Sequence, residues 1–429
     1  MAREMKDSGI EWIGEIPEGW IKKKLKYIVS YNDETLPETT DDSFEFDYID
    51  IGSVQYGKGI IQTQHMKFKD APSRARRIVK ADDVILSTVR TYLKAVATIK
   101  ENSERLIAST GFIVLRAKPG EVLSRFLNYS VLSEAFISLV EAKSVGISYP
   151  AINASSIVDI AIPLPFFDEQ RRIAVYLDNE CARIDSVIDQ TRASIEEYKK
   201  LKQAVITQAV TKGIRSGREM KDSGIEWIGE IPCAWNVQRI KTIFSLRDEK
   251  NYLPLEEVNL ISLYTELGVV QHSDLEETTG NKASSAEGYK KVYENDIIVN
   301  IILCWMGAIG RSAYSGVTSP AYDIYVPSKA IDCRFYHHYF RTKGFSGDCY
   351  KRGKGIMAMR WRTYSDQFRD IKVVVPSIEE QREILIYLDE KTQAIDLLIE
   401  KKKKLLVELE SYKKAFIYEY VTGKKEVPV

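Results

Sequence analysis

Residues 168–212 read DEQRRIAVYLDNECARIDSVIDQTRASIEEYKKLKQAVITQAVTK, a stretch without proline or glycine. Its apolar side chains recur at steps of three, four or seven, which keeps them on one narrow stripe of a helix, as a coiled-coil seam requires. The eight seam positions are Ile173, Leu177, Ile184, Ile188, Ile195, Tyr198, Leu201 and Val205. Adding 211 to each number gives eight more apolar residues: Ile384, Leu388, Ile395, Ile399, Leu406, Leu409, Tyr412 and Phe416. We therefore predict two long helices that pair within the chain, although a partner protein's helix would satisfy the same stripe.

The composition is that of a globular protein with more than one core. The chain has 429 residues, 44% of them hydrophobic, which is enough for roughly two to four domains. No run approaches the roughly 20 apolar residues that span a bilayer, and the charged opening resembles no signal peptide, so we expect a cytoplasmic protein. The five cysteines form no C-x-x-C pair and the four histidines do not cluster with them, which argues against a disulfide framework and against a metal site.

The opening of the chain occurs twice. Residues 3–17, REMKDSGIEWIGEIP, recur unchanged as residues 218–232, and Trp20 and Lys26 have counterparts in Trp235 and Lys241. A period of about half the chain is far longer than that of solenoid repeats, so it indicates duplication of a whole domain with its helix. Even a recent copying of one docking segment would require two equivalent places for it, and both interpretations predict pseudo-twofold symmetry.

A region of mixed character lies between each repeat and its helix. Short β-branched and aromatic runs predict strands at residues 46–54, 83–89, 95–99 and 111–116, and again at 259–263, 296–303 and 322–326. Residues 124–141 and 334–343 are typical of helices. Pro165 and Pro376 end the last strand of each region, and acidic first turns suit the helices that follow. We expect four segments: residues 1–162, the helix region 163–213, residues 214–374 and the helix region 375–429.

This arrangement resembles the DNA-specificity subunit of a type I restriction-modification system. The first set of marks is Pro165, Asp168, Glu169, Gln170, Arg171, Tyr176, Leu177, Asp178, Ile184, Asp185, Val210 and Thr211. The second set is Pro376, Glu379, Glu380, Gln381, Arg382, Tyr387, Leu388, Asp389, Ile395, Asp396, Val421 and Thr422. The segment Gly9 to Gly14 and its copy from Gly224 are also similar to what this family carries. Each mark is weak alone, but the doubled arrangement covers essentially the whole chain.

The resemblance implies an α+β fold with two target-recognition domains, separated by an antiparallel coiled coil that acts as a spacer. Each domain would read one half of a split sequence in double-stranded DNA. Two methyltransferase subunits carrying S-adenosylmethionine would methylate adenine, and restriction subunits would add translocase and nuclease activity. The chain itself would need no cofactor. It carries neither an Asn/Asp-Pro-Pro-aromatic motif nor a G-x-x-x-x-G-K-(S/T) phosphate loop, in line with a non-catalytic subunit.

Two basic stretches are candidates for DNA contacts. Residues 67–80 carry six basic side chains against one acidic, and residues 350–362 carry five basic side chains and no acidic one, with Tyr350 and Trp361 among them. Such residues can neutralise phosphates, and an arginine can hold a guanine edge with two hydrogen bonds. The candidates in these stretches are Arg74, Arg76, Arg77, Lys351, Arg352, Lys354, Arg360 and Arg362, and further candidates that follow a probable strand are Arg90, Tyr92 and Lys94. A charge run is more often only solvated surface, but the family resemblance favours DNA contacts for these two stretches. For the lysines at 401–404, solvated surface is our interpretation.

A second function class accounts for the same layout. Two globular modules on a coiled coil would also serve as a scaffold that binds other proteins, with the basic stretches incidental. A stand-alone DNA-modifying enzyme is disfavoured by the missing motifs. Neighbouring reading frames for an adenine methyltransferase and a helicase-nuclease would favour the specificity subunit over the scaffold.

Overall fold

The computed structural model describes residues 3–100, 105–274, 285–355 and 361–428. It divides into two compact units. The first unit comprises Met1–Arg192 and Lys404–Val429, and the second comprises Ala193–Lys403. No helix within the described ranges is both long and apolar enough to cross a membrane.

The first unit combines short strands with short helices and the beginning of a long one. Its strands are β1 (Met5–Ile10), β2 (Gly14–Pro17), β3 (Ile21–Lys24), β4 (Val29–Tyr31), β5 (Glu45–Ile49), β6 (Val54–Gln55), β7 (Gly59–Ile60), β8 (Gln64–Lys67), β9 (Ala75–Ile78), β10 (Val84–Ser87), β11 (Val96–Thr98), β12 (Leu106–Ser109), β13 (Phe112–Ala117) and β14 (Ala161–Leu164). Its helices are α1 (Leu25–Ile28), α2 (Ser124–Leu132), α3 (Glu134–Ala142), α4 (Ala154–Val158) and the beginning of α5 (Phe167–Lys212).

The second unit shares one four-stranded sheet with the first and differs from it elsewhere. Its strands are β15 (Met220–Asp222), β16 (Glu230–Pro232), β17 (Asn236–Arg239), β18 (Phe244–Arg247), β19 (Ile261–Tyr264), β20 (Gly268–Gln271), β21 (Lys290–Val292), β22 (Ile297–Asn300), β23 (Ile309–Arg311), β24 (Gly316–Thr318), β25 (Tyr322–Pro327) and β26 (Lys372–Val375). Its helices are α6 (Cys333–Phe340), α7 (Lys343–Arg352), α8 (Ser365–Arg369) and most of α9 (Ile378–Val421). It has two-stranded sheets, β19-β20 and β21-β24, where the first unit has the sheet β8-β5-β12-β9.

One antiparallel sheet has the same strand order in both units. The order is β11-β10-β13-β4 in the first unit and β23-β22-β25-β18 in the second. Its central strands are buried on both faces, as the apolar runs at residues 84–87 and 297–300 require. A short pair, β14 with β3 and β26 with β17, leads from each sheet into the long helix. The predicted α+β fold class and its duplication are therefore confirmed.

Three predicted elements differ in detail. The strand expected over 46–54 is interrupted by a 3-10 helix at Ile51–Ser53, because the Asp50 carboxylate accepts a hydrogen bond from the Ser53 amide. The helix expected over 124–141 breaks at Ser133, whose backbone leaves the helical region and whose hydroxyl donates to the Ser130 carbonyl. The strand expected over 296–303 ends at Asn300, because the Asn300 side-chain oxygen accepts hydrogen bonds from the Ile302 and Leu303 amides.

The two long helices pair antiparallel within each unit. In the first unit Asp185 on α5 binds Lys413 on α9, and Arg192 binds Glu410, so rising numbers on one helix meet falling numbers on the other. In the second unit Lys202 on α5 binds Asp396 on α9. Ten of the predicted seam residues are buried: Ile173, Leu177, Ile184, Ile188, Ile195, Ile384, Leu388, Ile395, Ile399 and Phe416. Four are half-buried: Tyr198, Val205, Leu406 and Leu409.

The prediction was wrong at Leu201 and Tyr412, whose side chains are 48% and 52% exposed. Both lie one residue out of the seven-residue repeat, which runs from Ile195 to Lys202 and from Leu406 to Lys413. The seam therefore continues through two lysines, not through the nearest apolar side chains. The lysine stems are partly buried along the seam, and each ammonium group lies 2.6 Å from an aspartate on the facing helix.

The opening segment and its copy occupy equivalent places. In the first unit the opening segment packs against the last turns of α9, where the Lys424 ammonium donates to the Glu15 carbonyl at 2.7 Å. In the second unit the copy packs against the last turns of α5, where the Lys212 ammonium donates to the Ile228 carbonyl at 2.7 Å. Trp20 and Trp235 are fully buried at these two contacts. The two equivalent docking places that the repeat predicts are therefore present.

Candidate nucleic-acid interface

Backbone hydrogen bonds join four loops of the first unit in a row. The Thr110 amide donates to the Arg74 carbonyl at 2.7 Å, and the Thr88 amide donates to the Gly111 carbonyl at 2.8 Å. The Arg90 amide then donates to the Pro150 carbonyl at 2.8 Å. These bonds connect the loop before β9 to the loop after β10, and that loop to residues 144–153. The predicted residues Arg74 and Arg90 thus lie on a continuous series of loops.

The three arginines of the first basic stretch have different surroundings. Arg74 is exposed in the loop before β9. Arg76 and Arg77 are neighbours on β9, where Arg76 is the extra residue at an irregularity in the pairing with β12. The Arg76 guanidinium lies 4.5 Å from the Phe68 ring centre, a cation-π contact. Burial lowers the pKa of Arg77, and its Nε finds no acceptor among the described residues.

Arg90 and Lys94 flank a 3-10 helix, Thr91–Leu93, and both have left-handed backbone conformations, with φ of 52° and 51°. Such conformations are costly for side chains other than glycine, and they turn Tyr92 outward, where it is exposed. Lys94 points inward. Its ammonium group lies 2.9 Å from Glu134 and 3.6 Å from Glu141, and the hydrogen bond to Glu134 raises the pKa of Lys94. Lys94 is therefore neutralised within the protein.

An aromatic stack supports the second basic stretch. The rings of Tyr350 and Trp361 are stacked with centres 4.9 Å apart, and Trp305 packs on Tyr350 at 5.5 Å. The Trp361 ring covers Gly353, where an added Cβ would lie 2.3 Å from the indole nitrogen. Only glycine allows this close approach. Lys354 and Arg362 exchange two backbone hydrogen bonds of 2.8 and 3.0 Å.

As in the first unit, one cation of this stretch binds a carboxylate of the protein and is neutralised by it. Lys351 binds Glu226 at 2.6 Å, and that hydrogen bond raises the pKa of Lys351. Arg352, Lys354 and Arg362 have no acidic side chain within ion-pair distance in the ranges that the structure describes. Arg360, also predicted, lies outside those ranges.

The two units share one more feature at these loops. The Ile152 amide donates to the Thr88 carbonyl at 2.8 Å in the first unit, and the Thr363 amide donates to the Ile301 carbonyl at 2.9 Å in the second. Each bond ties the loop after a central strand to the loop before the last short helix. In the described ranges, Arg74, Arg76, Arg77 and Arg90 of the first unit and Arg352, Lys354 and Arg362 of the second bind no carboxylate, and Arg90 and Arg362 lie close along the chain to the ties at Thr88 and Thr363. Cations without a partner in the protein are available for phosphates or base edges.

The family model described as "Type I restriction modification DNA specificity domain" matches residues 17–197 and 232–408. The chain belongs to this family. The two matches fall on the two halves of the duplication, and each includes one α+β region with most of its long helix. The predicted resemblance to a type I specificity subunit is therefore confirmed.

Two curated specificity subunits from Methanocaldococcus jannaschii are similar to this chain over nearly their whole length. The MjaVIII subunit is 24% identical, over 96% of this chain and 94% of the relative. The putative MjaX subunit is 25% identical, over 97% of this chain and 96% of the relative. Both are named as specificity subunits of type I restriction enzymes.

Solved structures of the same kind share the fold. A chain from a study of complex assembly and conformational transition of the type I system superposes with a TM-score of 0.75 at 20% identity, covering 96% of this chain and 99% of its own length. The HsdS subunit of Thermoanaerobacter tengcongensis superposes with a TM-score of 0.56 at 21% identity, covering 96% and 98%. At these identities the likeness concerns the fold alone.

The loop at residues 145–151, VGISYPA, was not among the predicted contact residues of the specificity subunit. Its apolar residues are typical of a core strand, but Val145, Ile147 and Tyr149 are all exposed. The available signal was Gly146 followed by Pro150 within a run that neither alternates nor has helical spacing. Trp305, which supports the stack in the second unit, was also missed, because nothing in the local sequence links it to Tyr350.

Proposed function

We propose that this chain is the sequence-specific DNA-binding subunit of a type I restriction-modification complex, with each unit reading one half of a bipartite target. The observation that carries the proposal is the duplicated pair of tied loops, each followed or preceded in the chain by cations that no carboxylate of the described protein neutralises. Membership of the specificity family supports DNA as the ligand. Direct reading requires side chains that reach base edges, and exposed arginines are the side chains most suited to guanine.

The long helices set the distance between the two half-sites in this proposal. They contain 46 and 44 residues, or roughly 65 Å each at about 1.5 Å per residue. The paired Lys202 with Asp396 and Lys413 with Asp185 fix one register, because a shift by one turn would leave all four charges without partners. In this proposal a fixed helix register keeps the gap between the two DNA half-sites constant.

The same helices dock two methyltransferase subunits. Support comes from apolar side chains that are exposed on the helices at positions related by the 211-residue offset, which is how two copies of one partner would be bound. These pairs are Val175 with Ile386, Val187 with Leu398, and Leu201 with Tyr412. The methyltransferase subunits supply S-adenosylmethionine and methylate adenine, and restriction subunits add DNA cleavage; this chain contributes no catalytic group.

A double substitution tests the docking. Purified alone, the chain should transfer no methyl groups from S-adenosylmethionine to DNA, and with methyltransferase subunits the complex should do so. We expect Val175→Asp to remove one bound copy and Val175→Asp with Ile386→Asp to remove both, because each introduces a charge into an apolar contact. Copies are counted by mass photometry, and methyl transfer is measured in parallel.

The control is Val407→Asp, since Val407 is exposed on α9 but its offset position is Glu196. This variant should keep both copies. Thermal unfolding verifies that all variants fold. Two bound copies in the double variant, or methyl transfer by the chain alone, would contradict the proposal.

A further inference from the structure

The loop at residues 145–151 is a compact projection with a fixed shape. The Val145 amide donates to the Ala151 carbonyl at 2.8 Å, and the Ala151 amide donates back at 3.0 Å. Gly146 has a φ of 118°, and a Cβ there would lie 3.1 Å from the Tyr149 carbonyl oxygen. The backbone bonds close the loop at its base, and Gly146 permits the tight turn that brings Ile147 to the tip.

The side chains of this loop are apolar and face solvent. Ile147 has a relative exposure of 103%, Val145 of 81% and Tyr149 of 66%. Isoleucine prefers burial, and one with no contact in the protein contributes nothing to the fold. An apolar tip on a closed loop is a feature expected where an apolar surface of a partner receives it.

The charge around the tip indicates which partner. The two segments that form this region, residues 88–100 and 142–158, carry Arg90, Lys100 and Lys143, whereas their fourth cation, Lys94, is already neutralised by Glu134 and Glu141. The Arg90 guanidinium lies over the Tyr149 ring, 5.1 Å from its centre. An apolar tip in a basic frame is complementary to a polyanion with an apolar interior. Duplex DNA has this character, with phosphates outside and stacked bases inside.

We propose that Ile147 inserts as a wedge between two adjacent base pairs and unstacks them, an inference that rests on the proposed DNA-binding function. Isoleucine is among the side chains that proteins use in this way, and the neighbouring cations hold the flanking phosphates. Arg90 and Tyr149 position the wedge by their contact. The first unit then senses how easily one step of its half-site is deformed, which favours pyrimidine–purine steps at the point of insertion.

The test uses duplexes recovered by selection with the full chain assembled with methyltransferase subunits. 2-Aminopurine is placed at each position of the half-sites in turn, and its fluorescence reports unstacking. We expect the parent to raise the fluorescence at a single step beyond any flipped adenine. Ile147→Ala should abolish that signal and weaken binding about tenfold, because a buried isoleucine contact is lost, while the salt dependence stays unchanged.

Two further variants and one altered duplex complete the design. Ile147→Leu should keep the signal, and Ile61→Ala, which removes another exposed isoleucine of the first unit, should behave as the parent. A mismatch at the unstacked step should strengthen binding by the parent, because the step is already open.

The outcomes separate the two proposals. If the parent selects no sequence, the proposed DNA-binding function fails and the wedge with it. If the parent selects a sequence but Ile147→Ala binds and unstacks it as the parent does, only the wedge fails. Loss of methyltransferase binding in Ile147→Ala, with unchanged DNA affinity of the remaining subunit, would show that the tip contacts a protein instead.

Discussion

Replacing Arg352, Lys354 and Arg362 together with alanine should weaken DNA binding about a hundredfold at 0.15 M salt. Each phosphate contact adds about 0.9 to the slope of log affinity against log salt concentration, so three lost contacts lower the slope by about three. Carried from a 1 M reference to 0.15 M salt, that slope corresponds to roughly two decades in affinity. Fluorescence anisotropy over a series of salt concentrations measures both quantities.

A smaller change in the slope would indicate that fewer than three of these side chains contact phosphates. If one of the three side chains reads a base edge, the slope falls by about two and discrimination at one base pair relaxes by about 1–3 kcal/mol. The matched control is Lys351→Ala, because Lys351 is already paired with Glu226. The pair Arg74→Ala and Arg76→Ala should produce the same kind of loss for the other half-site. Variants of both clusters that bind specific and random DNA as the parent does would show that these stretches are only solvated surface.

Inserting one heptad into each long helix should lengthen the preferred gap between the half-sites by about three base pairs. Seven residues restore the same helix face, so insertions near Ile188 and Ile399, both buried in the seam, preserve the pairing. They lengthen a helix by about 10 Å, which corresponds to roughly three base-pair steps. Selection from a library of spacer lengths with the complete methyltransferase complex measures the preferred gap.

The added base pairs also rotate the duplex by about 100°, so affinity falls if the rotation is only partly accommodated. An insertion of five residues into each helix is the control, because it moves the seam to another face and should prevent pairing. A folded heptad variant that binds DNA with the parental gap would mean that something other than the helices sets the spacing.

Periodicity and duplication are visible in the sequence and made the fold predictable. Features that depend on contacts between residues distant in sequence could not be predicted. The repeated segment at residues 3–17 and the doubled seam predicted two α+β units and their helices because both are local, repeated signals. The prediction placed Leu201 in the seam because Leu201 is apolar, whereas the seven-residue repeat continues through Lys202. Lys202 can occupy a seam position because it binds Asp396, which is remote in sequence.

The candidate interface was predictable only as basic stretches. Lys94 and Lys351 are neutralised by carboxylates far along the chain, whereas Arg90 and Arg352 bind no carboxylate of the described residues, and no local sequence feature separates these two groups. The exposed Ile147 was hidden for the opposite reason, since an isoleucine beside a valine and a tyrosine is usually buried. Pairing and exposure are properties of the tertiary structure.

The bipartite reading of DNA is tested most directly by selecting bound duplexes from a random library with the complete methyltransferase complex. We expect two short specified blocks separated by an unspecified gap of constant length. With the Arg352→Ala, Lys354→Ala and Arg362→Ala variant, sequence preference should relax in one block only, at any base pair that one of these side chains reads, while the other block keeps its preference. A single specified block, or no enrichment by the parent complex, would contradict the assignment of one half-site to each unit.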